Sequence, residues 1–364
     1  MTKLHDLAAA GQSPWLDNLR RDWIADGELA RWVERGVAGV TSNPSIFQKA
    51  IAGAEVYDAQ FSELIAGGAS VGDAYWELVI TDIADALGVL APVHDRTDGL
   101  DGYVSLEVAP DLAHDTEGTA ASALELHDRL DQPNLYVKIP GTVAGLPAIE
   151  QVIAAGRSVN VTLLFDVERY DAVIDAYLSG LEAHDGPLGH ISSVASFFVS
   201  RVDAAVDAQL AEIGTPEALA LQGKVAVANA QLAYERFTER FSGPRWEALA
   251  ARGARVQRPL WASTSTKNPD YPETLYVDTL IGPDTVNTMP EATLDAFEAS
   301  GTVARTVDAD LAEAHRVIDA LPAVGVDLAA VTAQLEDEGV AAFAKAFDDL
   351  LATLQTKADQ LGGG

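Results

Sequence analysis

Short apolar runs alternate with longer amphipathic stretches along most of the chain. Runs of this length bounded by turn signals are typical of buried strands, and eight of them occur. The first run is the weakest of the eight. They lie at residues 14–17, 39–43, 102–108, 134–140, 159–165, 191–199, 258–263 and 285–289.

The stretches between these runs carry apolar residues at helical spacing. The clearest predicted helices lie at residues 28–35, 145–155, 167–182 and 216–241. Thr215 is a suitable cap for the last of these helices, and Pro216 suits its first position. A longer insertion at residues 46–90 indicates two or three helices that are interrupted by Gly67 and Gly68.

Strands that alternate with helices imply a parallel sheet, and eight such units close naturally into a barrel. An open doubly wound sheet is the rival, but no Gly-x-Gly-x-x-Gly follows a predicted strand and no P-loop motif is present. We therefore predict an α/β fold in which residues 1–364 form one domain, a single (β/α)8 TIM barrel. Extra helices are expected in the insertion after the second strand and at the C-terminus. The C-terminal stretch 326–354 has an apolar face and should pack on the barrel exterior or over one end.

The composition is that of an ordinary globular protein, with 48% apolar residues in a chain of 364. The first residues contain no long apolar segment, so we do not expect a secretory signal. No run approaches the ~18 apolar residues of a membrane span. The chain has no cysteine, and its seven histidines show no metal-ligand spacing and are interpreted as surface or capping residues. We predict no metal and no cofactor, and the cytoplasm is the simplest location.

The net charge of −31 repels nucleic acid and anionic membrane surfaces, so we expect neither as a partner. It repels phosphorylated metabolites as well. If such a metabolite is the substrate, a few cations must be concentrated at one mouth of the fold, where low-dielectric walls limit screening. The acidity itself indicates solubility or adaptation to salt. The sequence leaves a monomer and a homodimer both open.

Lys138 has the position that is hardest to explain by structure alone, because it lies in the apolar run at residues 134–140. An ammonium removed from water without a partner costs several kcal/mol, so a lysine inside a strand either loses its proton or finds a carboxylate. An ordinary lysine has a pKa of about 10.4, so only burial or a neighbouring cation makes it a neutral nucleophile near neutral pH. The alternative is a lysine near a strand end that reaches out to solvent.

Polar residues end most of the other predicted strands. Active sites of parallel barrels form at the carboxyl ends of the strands, so we expect these residues to meet there. Glu107 lies in an apolar strand and needs a partner. Asp17 and Asn43 would also serve as helix caps, and Thr162 is an ordinary strand residue. The set comprises Asp17, Thr41, Ser42, Asn43, Glu107, Asn160, Thr162, Ser196, Arg201, Ser263 and Lys267.

Several ordered motifs resemble one known family. Residues 39–47, GVTSNPSIF, resemble the first signature of transaldolases. Residues 136–142, YVKIPGT, followed by AGL at 144–146 and NVTLLF at 160–165, resemble the second. Residues 262–269, ASTSTKNP, are similar to the segment after the seventh strand in the actinobacterial-type branch. The resemblance covers essentially the whole chain.

The resemblance implies a transferase of the pentose phosphate pathway that needs no cofactor. Such an enzyme moves a dihydroxyacetone unit from sedoheptulose 7-phosphate to glyceraldehyde 3-phosphate and gives erythrose 4-phosphate and fructose 6-phosphate. Lys138 matches the Schiff-base position. An iminium at that lysine is an electron sink for the carbanion left when the carbon–carbon bond breaks. By the same resemblance Asp17 is the acid/base of the cleavage step, and Glu107 and Thr162 hold a catalytic water.

The resemblance also implies the residues that bind substrate. Asn43 and Asn160, with Ser196 beside them, match groups that bind the dihydroxyacetone hydroxyls. Arg201 matches a phosphate-binding arginine, and Ser263 lies at a second phosphate contact.

The chain departs from the better-known branch of the family at this second phosphate contact. It has Ser265 where that branch has an arginine, and we predict that Lys267 supplies the missing positive charge.

Two other functions remain open from the sequence. The first is a lyase of the fructose 6-phosphate aldolase type, although related aldolases carry glutamine and tyrosine where this chain has Glu107 and Phe198. The second is a non-catalytic barrel that binds sugar phosphates. The presence of Lys138, Asp17 and Glu107 together argues against it, because an inactive barrel should lack at least one of them.

Overall fold

The computed structural model of the chain describes residues 1–52 and 54–362, in which eight parallel strands close into a barrel in sequence order. The predicted (β/α)8 barrel is therefore confirmed. The first strand, the weakest in the sequence, closes the barrel by pairing along its whole length with the last. The strands are β1 (Gln12–Leu16), β2 (Val40–Thr41), β3 (Val104–Glu107), β4 (Leu135–Pro140), β5 (Val159–Leu164), β6 (Ser193–Phe198), β7 (Gln257–Ala262) and β8 (Thr285–Met289).

Every strand position is buried, because one face of each strand fills the barrel and the other lies under the surrounding helices. Two short 3₁₀ helices lie at Glu55–Tyr57 and Pro110–His114. The α-helices are α1 (Lys3–Ala9), α2 (Arg21–Ala25), α3 (Glu28–Arg35), α4 (Pro44–Ile51), α5 (Asp58–Ala66), α6 (Val71–Arg96), α7 (Thr116–Leu130), α8 (Gly145–Ala154), α9 (Val167–Ala183), α10 (Ser200–Ile213), α11 (Pro216–Leu219), α12 (Val225–Arg240), α13 (Gly243–Ala250), α14 (Leu275–Asp278), α15 (Glu291–Ser300), α16 (Leu311–Val324) and α17 (Leu328–Gly362).

The single helix predicted at residues 216–241 is wrong, since the structure has two helices there, α11 and α12. Thr215 caps α11 as predicted, and its hydroxyl accepts a hydrogen bond from the backbone N–H of Ala218. Between the helices, Gly223 has a φ of +70°, a conformation that favours glycine, and an added Cβ would lie 2.8 Å from the ring of Tyr271. Gly223 therefore lies in the turn between the two helices, after α11 has ended at Leu219. In the insertion, Gly67 and Gly68 separate α5 from α6 as predicted.

The C-terminal helix α17 lies over the carboxyl end of the barrel, so the second of the two predicted placements is correct. It packs against α4, α6 and α10. At Gly339 it approaches β5 so closely that an added Cβ would come within 2.9 Å of Leu163.

No single helix within the described ranges has the length and hydropathy of a membrane-spanning helix. Only α16 and α17 taken together meet them, and these two helices are bent by 95° at their junction.

A buried ion pair fills the opposite, amino-terminal end of the barrel. Arg258 donates to Asp101 over 3.0 Å, to Ser13 over 2.9 Å and to the carbonyl of Leu100 over 2.6 Å. Ser13 and Trp15 in turn donate to the two oxygens of Asp101. Because each charged group has several partners, this cluster satisfies charges that would otherwise be costly to bury.

We expect Asp101→Ala to lower the free energy of unfolding by about 3–5 kcal/mol, because it leaves the guanidinium of Arg258 buried without its carboxylate. Urea unfolding measures the change. The matched control is Asp128→Ala, since Asp128 pairs with Arg157 at the surface with side chains 70% and 35% exposed. That control should cost less than about 1 kcal/mol. Equal losses in the two variants would contradict this account of the cluster.

Candidate active site

A cavity of about 480 Å³ opens at the carboxyl end of the barrel, under α17. Eight of the ten residues that were assigned a catalytic or binding role line it, and the other two, Glu107 and Asn160, lie directly behind it in hydrogen-bond contact with lining residues. The fold therefore brings the whole predicted set together. The eight lining residues are Asp17, Asn43, Lys138, Thr162, Ser196, Arg201, Ser263 and Lys267.

Lys138 lies on β4 with its side chain buried. The alternative interpretation, in which the side chain reaches out to solvent, is therefore wrong. Its ammonium donates to the carboxylate of Glu107 and to the carbonyl of Ser42, each over 3.1 Å. Strand register explains the first contact, because Lys138 and Glu107 are direct partners in the pairing of β4 with β3. The second contact uses the first carbonyl after β2 ends. The amine is thus held between two neighbouring strands.

Glu107 is buried beside this amine, with 6% of its surface exposed. Burial raises the pKa of Glu107 above its ordinary value, and the nearby charge of Asp17 raises it further. The positive charge and hydrogen bond of Lys138 oppose this rise without cancelling it. A carboxylate with a raised pKa is a stronger base, so Glu107 is suited to take a proton from the adjacent ammonium.

Asp17 follows β1 and faces the same cavity. Its carboxylate accepts a hydrogen bond of 2.7 Å from Thr41, whose hydroxyl is also 2.6 Å from that of Thr288. Burial raises the pKa of Asp17, while the Thr41 hydrogen bond and the charges of Lys138 and Arg201 lower it only in part. Glu107 and Asp17 therefore have different hydrogen-bond partners, but burial raises the pKa of both.

Hydrogen bonds fix the side-chain amide of Asn160. It donates to Ser105 over 3.0 Å and accepts from Ser196 over 2.7 Å, so both ends of the amide are oriented. Asn43 caps α4, where its side-chain oxygen accepts from the backbone N–H of Ile46, and it also lines the cavity. The capping role and the site position are thus compatible for this residue.

Thr162 carries a buried hydroxyl that has no hydrogen-bond partner among the described residues. Such a group is costly unless a ligand or water satisfies it. The backbone next to it is unusual as well, since Leu163 has a φ of +60° and the pairing of β5 with β6 shifts register between Val161 and Leu164. Strain and an unsatisfied hydroxyl together indicate a position shaped for binding.

Positive charges gather at the mouth of the cavity. Arg201 is the second residue of α10; burial lowers its pKa, and the ring of Phe198 lies 5.2 Å from its guanidinium carbon. Lys267 donates to Ser265 over 3.1 Å, and the surrounding protein and the charge of Arg201 lower its pKa. Ser263 has a φ of +54°, and its hydroxyl lies 2.9 Å from that of Ser200. A cationic rim that also carries hydroxyl groups is suited to an anion.

The balance of charge in the lining is the reverse of that in the whole chain. The chain has 55 acidic and 24 basic residues, whereas the lining contains five basic residues and two acidic ones, Asp17 and Glu291. This is the local concentration of cations that an anionic substrate would require in so acidic a protein. The basic residues are Arg20, Lys49, Lys138, Arg201 and Lys267.

Some lining residues were missed from the sequence. Phe343 of α17 places its ring 5.9 Å from the Lys138 nitrogen, although the sequence indicated only an apolar helix face at that position. Lys49 and Thr288 line the cavity from α4 and β8. Thr288 was detectable as a polar residue near the end of the eighth predicted strand, by the same rule that located the others.

A second cavity, of about 500 Å³, lies at the amino-terminal end of the barrel and contains His94, His127 and His190. The interpretation of all histidines as surface or capping residues is wrong for His127, which is 4% exposed. Its Nε2 lies 2.9 Å from the carbonyl of Ser158, and burial lowers its pKa to about 4.

The fold and the site define a class of protein: a barrel enzyme in which a buried lysine, flanked by carboxylates, can attack the carbonyl of an anionic compound. The family model described as transaldolase/fructose-6-phosphate aldolase matches residues 14–354. Transaldolases of Parafrankia sp. and Mycolicibacterium smegmatis are each 52% identical to the chain, over 99% and 97% of it and 98% and 96% of their own lengths. That of Thermobifida fusca is 53% identical over 96% of each chain. The chain belongs to the transaldolase/fructose-6-phosphate aldolase family, and these full-length relatives support transaldolase function.

We expect Asp17→Asn to stabilise the fold at neutral pH. Because the pKa of Asp17 is raised in the folded state, ionisation costs stability as the pH rises above the ordinary value of 3.8, and the cost is complete above the folded-state pKa. An asparagine has no such cost. The expected gain is present in full at about pH 7.5 and shrinks as the pH falls toward about 4.

Unfolding of wild type and variant across this pH range measures the gain, with the exposed Asp270→Asn as control. A loss of stability at neutral pH, or a gain that does not vary with pH, would contradict the raised pKa.

Proposed function

We propose that the chain transfers a dihydroxyacetone unit from sedoheptulose 7-phosphate to glyceraldehyde 3-phosphate through a Schiff base on Lys138. The observation that carries this proposal is the buried amine of Lys138, which lies 3.1 Å from Glu107 in the cavity that Asp17 also faces. The products are erythrose 4-phosphate and fructose 6-phosphate. One domain spans the chain, and the cytoplasm is the proposed location.

Formation of the Schiff base requires the ammonium of Lys138 to lose a proton before the neutral amine attacks the ketone carbon. Glu107 accepts that proton, and its raised pKa makes this transfer easier than to an ordinary carboxylate. The resulting carbinolamine loses its hydroxyl as water to give the iminium. The unpartnered hydroxyl of Thr162 supports a bound water between these groups, which would carry the protons of this step.

The second carboxylate, that of Asp17, acts in the cleavage of the substrate. Asp17 takes the proton of the C4 hydroxyl as the C3–C4 bond breaks, and the electron pair of that bond moves into the iminium of Lys138. The aldehyde product leaves and the three-carbon enamine stays attached. The reverse sequence with a new aldehyde forms the second product. Thr41, hydrogen-bonded to Asp17 and adjacent to Thr288, orients this carboxylate for both directions.

The three-carbon unit is bound by Asn43, Asn160 and Ser196. The amide of Asn160 is already oriented by two hydrogen bonds, so little entropy is lost when it meets a substrate hydroxyl. Arg201, Ser263 and Lys267 bind the phosphate at the mouth. The guanidinium of Arg201 can donate two parallel hydrogen bonds to the phosphate, and the ammonium of Lys267 adds a point charge.

A lyase that releases free dihydroxyacetone is the second candidate, and it differs from a transferase only in what removes the enamine. Glu107 and Phe198 stand where related aldolases carry glutamine and tyrosine, which favours transfer. The full-length similarity to transaldolases agrees with this preference.

We expect borohydride added together with fructose 6-phosphate to attach a three-carbon group to Lys138, because reduction of the iminium makes the bond permanent. Mass spectrometry of peptides locates the group, and Lys138→Met provides the unlabelled control. Prior addition of erythrose 4-phosphate should carry the three-carbon unit away as sedoheptulose 7-phosphate and reduce labelling by a transferase. Labelling of another lysine would overturn the assignment, and release of free dihydroxyacetone without an acceptor would favour the lyase.

We expect Lys267→Ala to raise the KM for glyceraldehyde 3-phosphate by about 10-fold, the equivalent of one lost charge contact of about 1.4 kcal/mol. Steady-state kinetics with the phosphorylated acceptor measures it. The neighbouring Asn268→Ala is the matched control and should change KM by less than about 2-fold. An unchanged KM in Lys267→Ala would remove this lysine from the phosphate site.

A further inference from the structure

Most cations of this protein are neutralised by a carboxylate. Of the 24 lysines and arginines, 17 lie within 4.0 Å of an acidic side chain in the described residues. Three of the remaining seven line the cavity at the carboxyl end of the barrel and have no acidic side chain within 4.0 Å in the described residues. They are Lys49, Arg201 and Lys267.

Lys49 belongs to this group by its position on α4. Asn43 caps the helix at its start, and α17 packs against it. The cavity-lining residues of the helix are Ser45, Ile46, Lys49 and Ala50, which have the spacing of a single helix face. The orientation of α4 therefore directs Lys49 over the cavity opposite the elements that carry Arg201 and Lys267.

A simpler explanation of Lys49 is its place in the last turn of α4, where a positive charge favours the helix dipole. That explanation applies equally to a lysine that faces bulk solvent. It does not account for a third unpaired cation in the same cavity, where like charges repel one another. Lys49 and Arg201 both lower the pKa of Lys267, so the three charges lie within interaction range. This repulsion disappears when a doubly charged anion occupies the space between them.

We propose that Lys49 is a specificity-determining residue that contacts the substrate phosphate from the α4 side and sets the preference for phosphorylated over unphosphorylated aldehydes. This inference rests on the proposed function. A phosphate monoester carries nearly two negative charges at neutral pH and three acceptor oxygens. Arg201 and Lys267 approach it from the β6 and β7 side, and Lys49 completes the enclosure from the β2 side.

The test compares two acceptors at saturating sedoheptulose 7-phosphate, namely glyceraldehyde 3-phosphate and glyceraldehyde, and follows the release of erythrose 4-phosphate. In Lys49→Gln, the ratio of their kcat/KM values should fall about 5- to 10-fold in favour of glyceraldehyde. Inhibition by inorganic phosphate should weaken by a similar factor. Lys49→Arg keeps the charge and should restore most of the ratio. The exposed Lys345→Gln, whose ammonium pairs with Asp349 on α17, is the matched control and should leave the ratio unchanged.

An unchanged ratio in Lys49→Gln, or equal losses with both acceptors, would overturn the proposal. Borohydride trapping on Lys138 separates this failure from failure of the proposed function. If the wild-type enzyme forms the adduct and the ratio does not move, only the role of Lys49 is wrong. If the wild type forms no adduct, the Schiff-base mechanism itself is wrong.

Discussion

The contact between Lys138 and Glu107 is the interaction on which the rest of the site depends. Removing two charges from water is expensive, and a well-packed apolar pair would often be more stable. The barrel nevertheless pairs them across β3 and β4, 3.1 Å apart and almost without solvent exposure. A cost of this kind is understandable where the pair has a chemical task, because the same burial that destabilises the charges makes the carboxylate a better base for the amine.

The two ends of the barrel treat buried polar groups in opposite ways. At the amino-terminal end, Arg258 and Asp101 have several protein partners each, and the cluster is saturated. At the carboxyl end, the Thr162 hydroxyl has no partner in the described part of the chain, and Arg201 pairs with no carboxylate there. Buried polar groups with all their hydrogen bonds satisfied are typical of a structural role, whereas unsatisfied ones are typical of a binding site. In parallel barrels the amino-terminal end generally serves stability and the carboxyl end carries the active site.

An aromatic layer separates these two ends. Trp15 and Tyr136 each precede a site residue by two positions, Asp17 and Lys138 respectively, so they lie on the same strand face one level lower. Their rings are 6.1 Å apart, and Tyr103 stacks on Tyr136 at 4.0 Å. Buried aromatic packing beneath the site supports the strands that carry Asp17 and Lys138, and it restricts the movement of these two residues.

Sequence reasoning located strands and their polar ends because both follow from local pattern, whereas it failed where distant contacts decide. In the break between α11 and α12, Gly223 lies so close to Tyr271 that a Cβ would not fit, and no local signal predicts that contact. Phe343 reaches Lys138 from a helix two hundred residues away, so the pattern revealed its apolar character but not its location. The pairing of Lys138 with Glu107 was expected only as a need for some partner, since register between strands is set by the closed barrel.

The same limitation applies to charge. The net charge of −31 indicated that an anionic substrate needs a local cluster of cations, but not which residues form it. At physiological ionic strength the distant carboxylates are screened beyond about 8 Å, so their repulsion matters little to a ligand already at the mouth. Close to the cavity wall, the protein replaces part of the solvent, so unpaired cations there attract an anion more strongly than cations in bulk water would. A strongly acidic protein can therefore hold a phosphorylated sugar, provided that a few of its cations are kept apart from the many carboxylates.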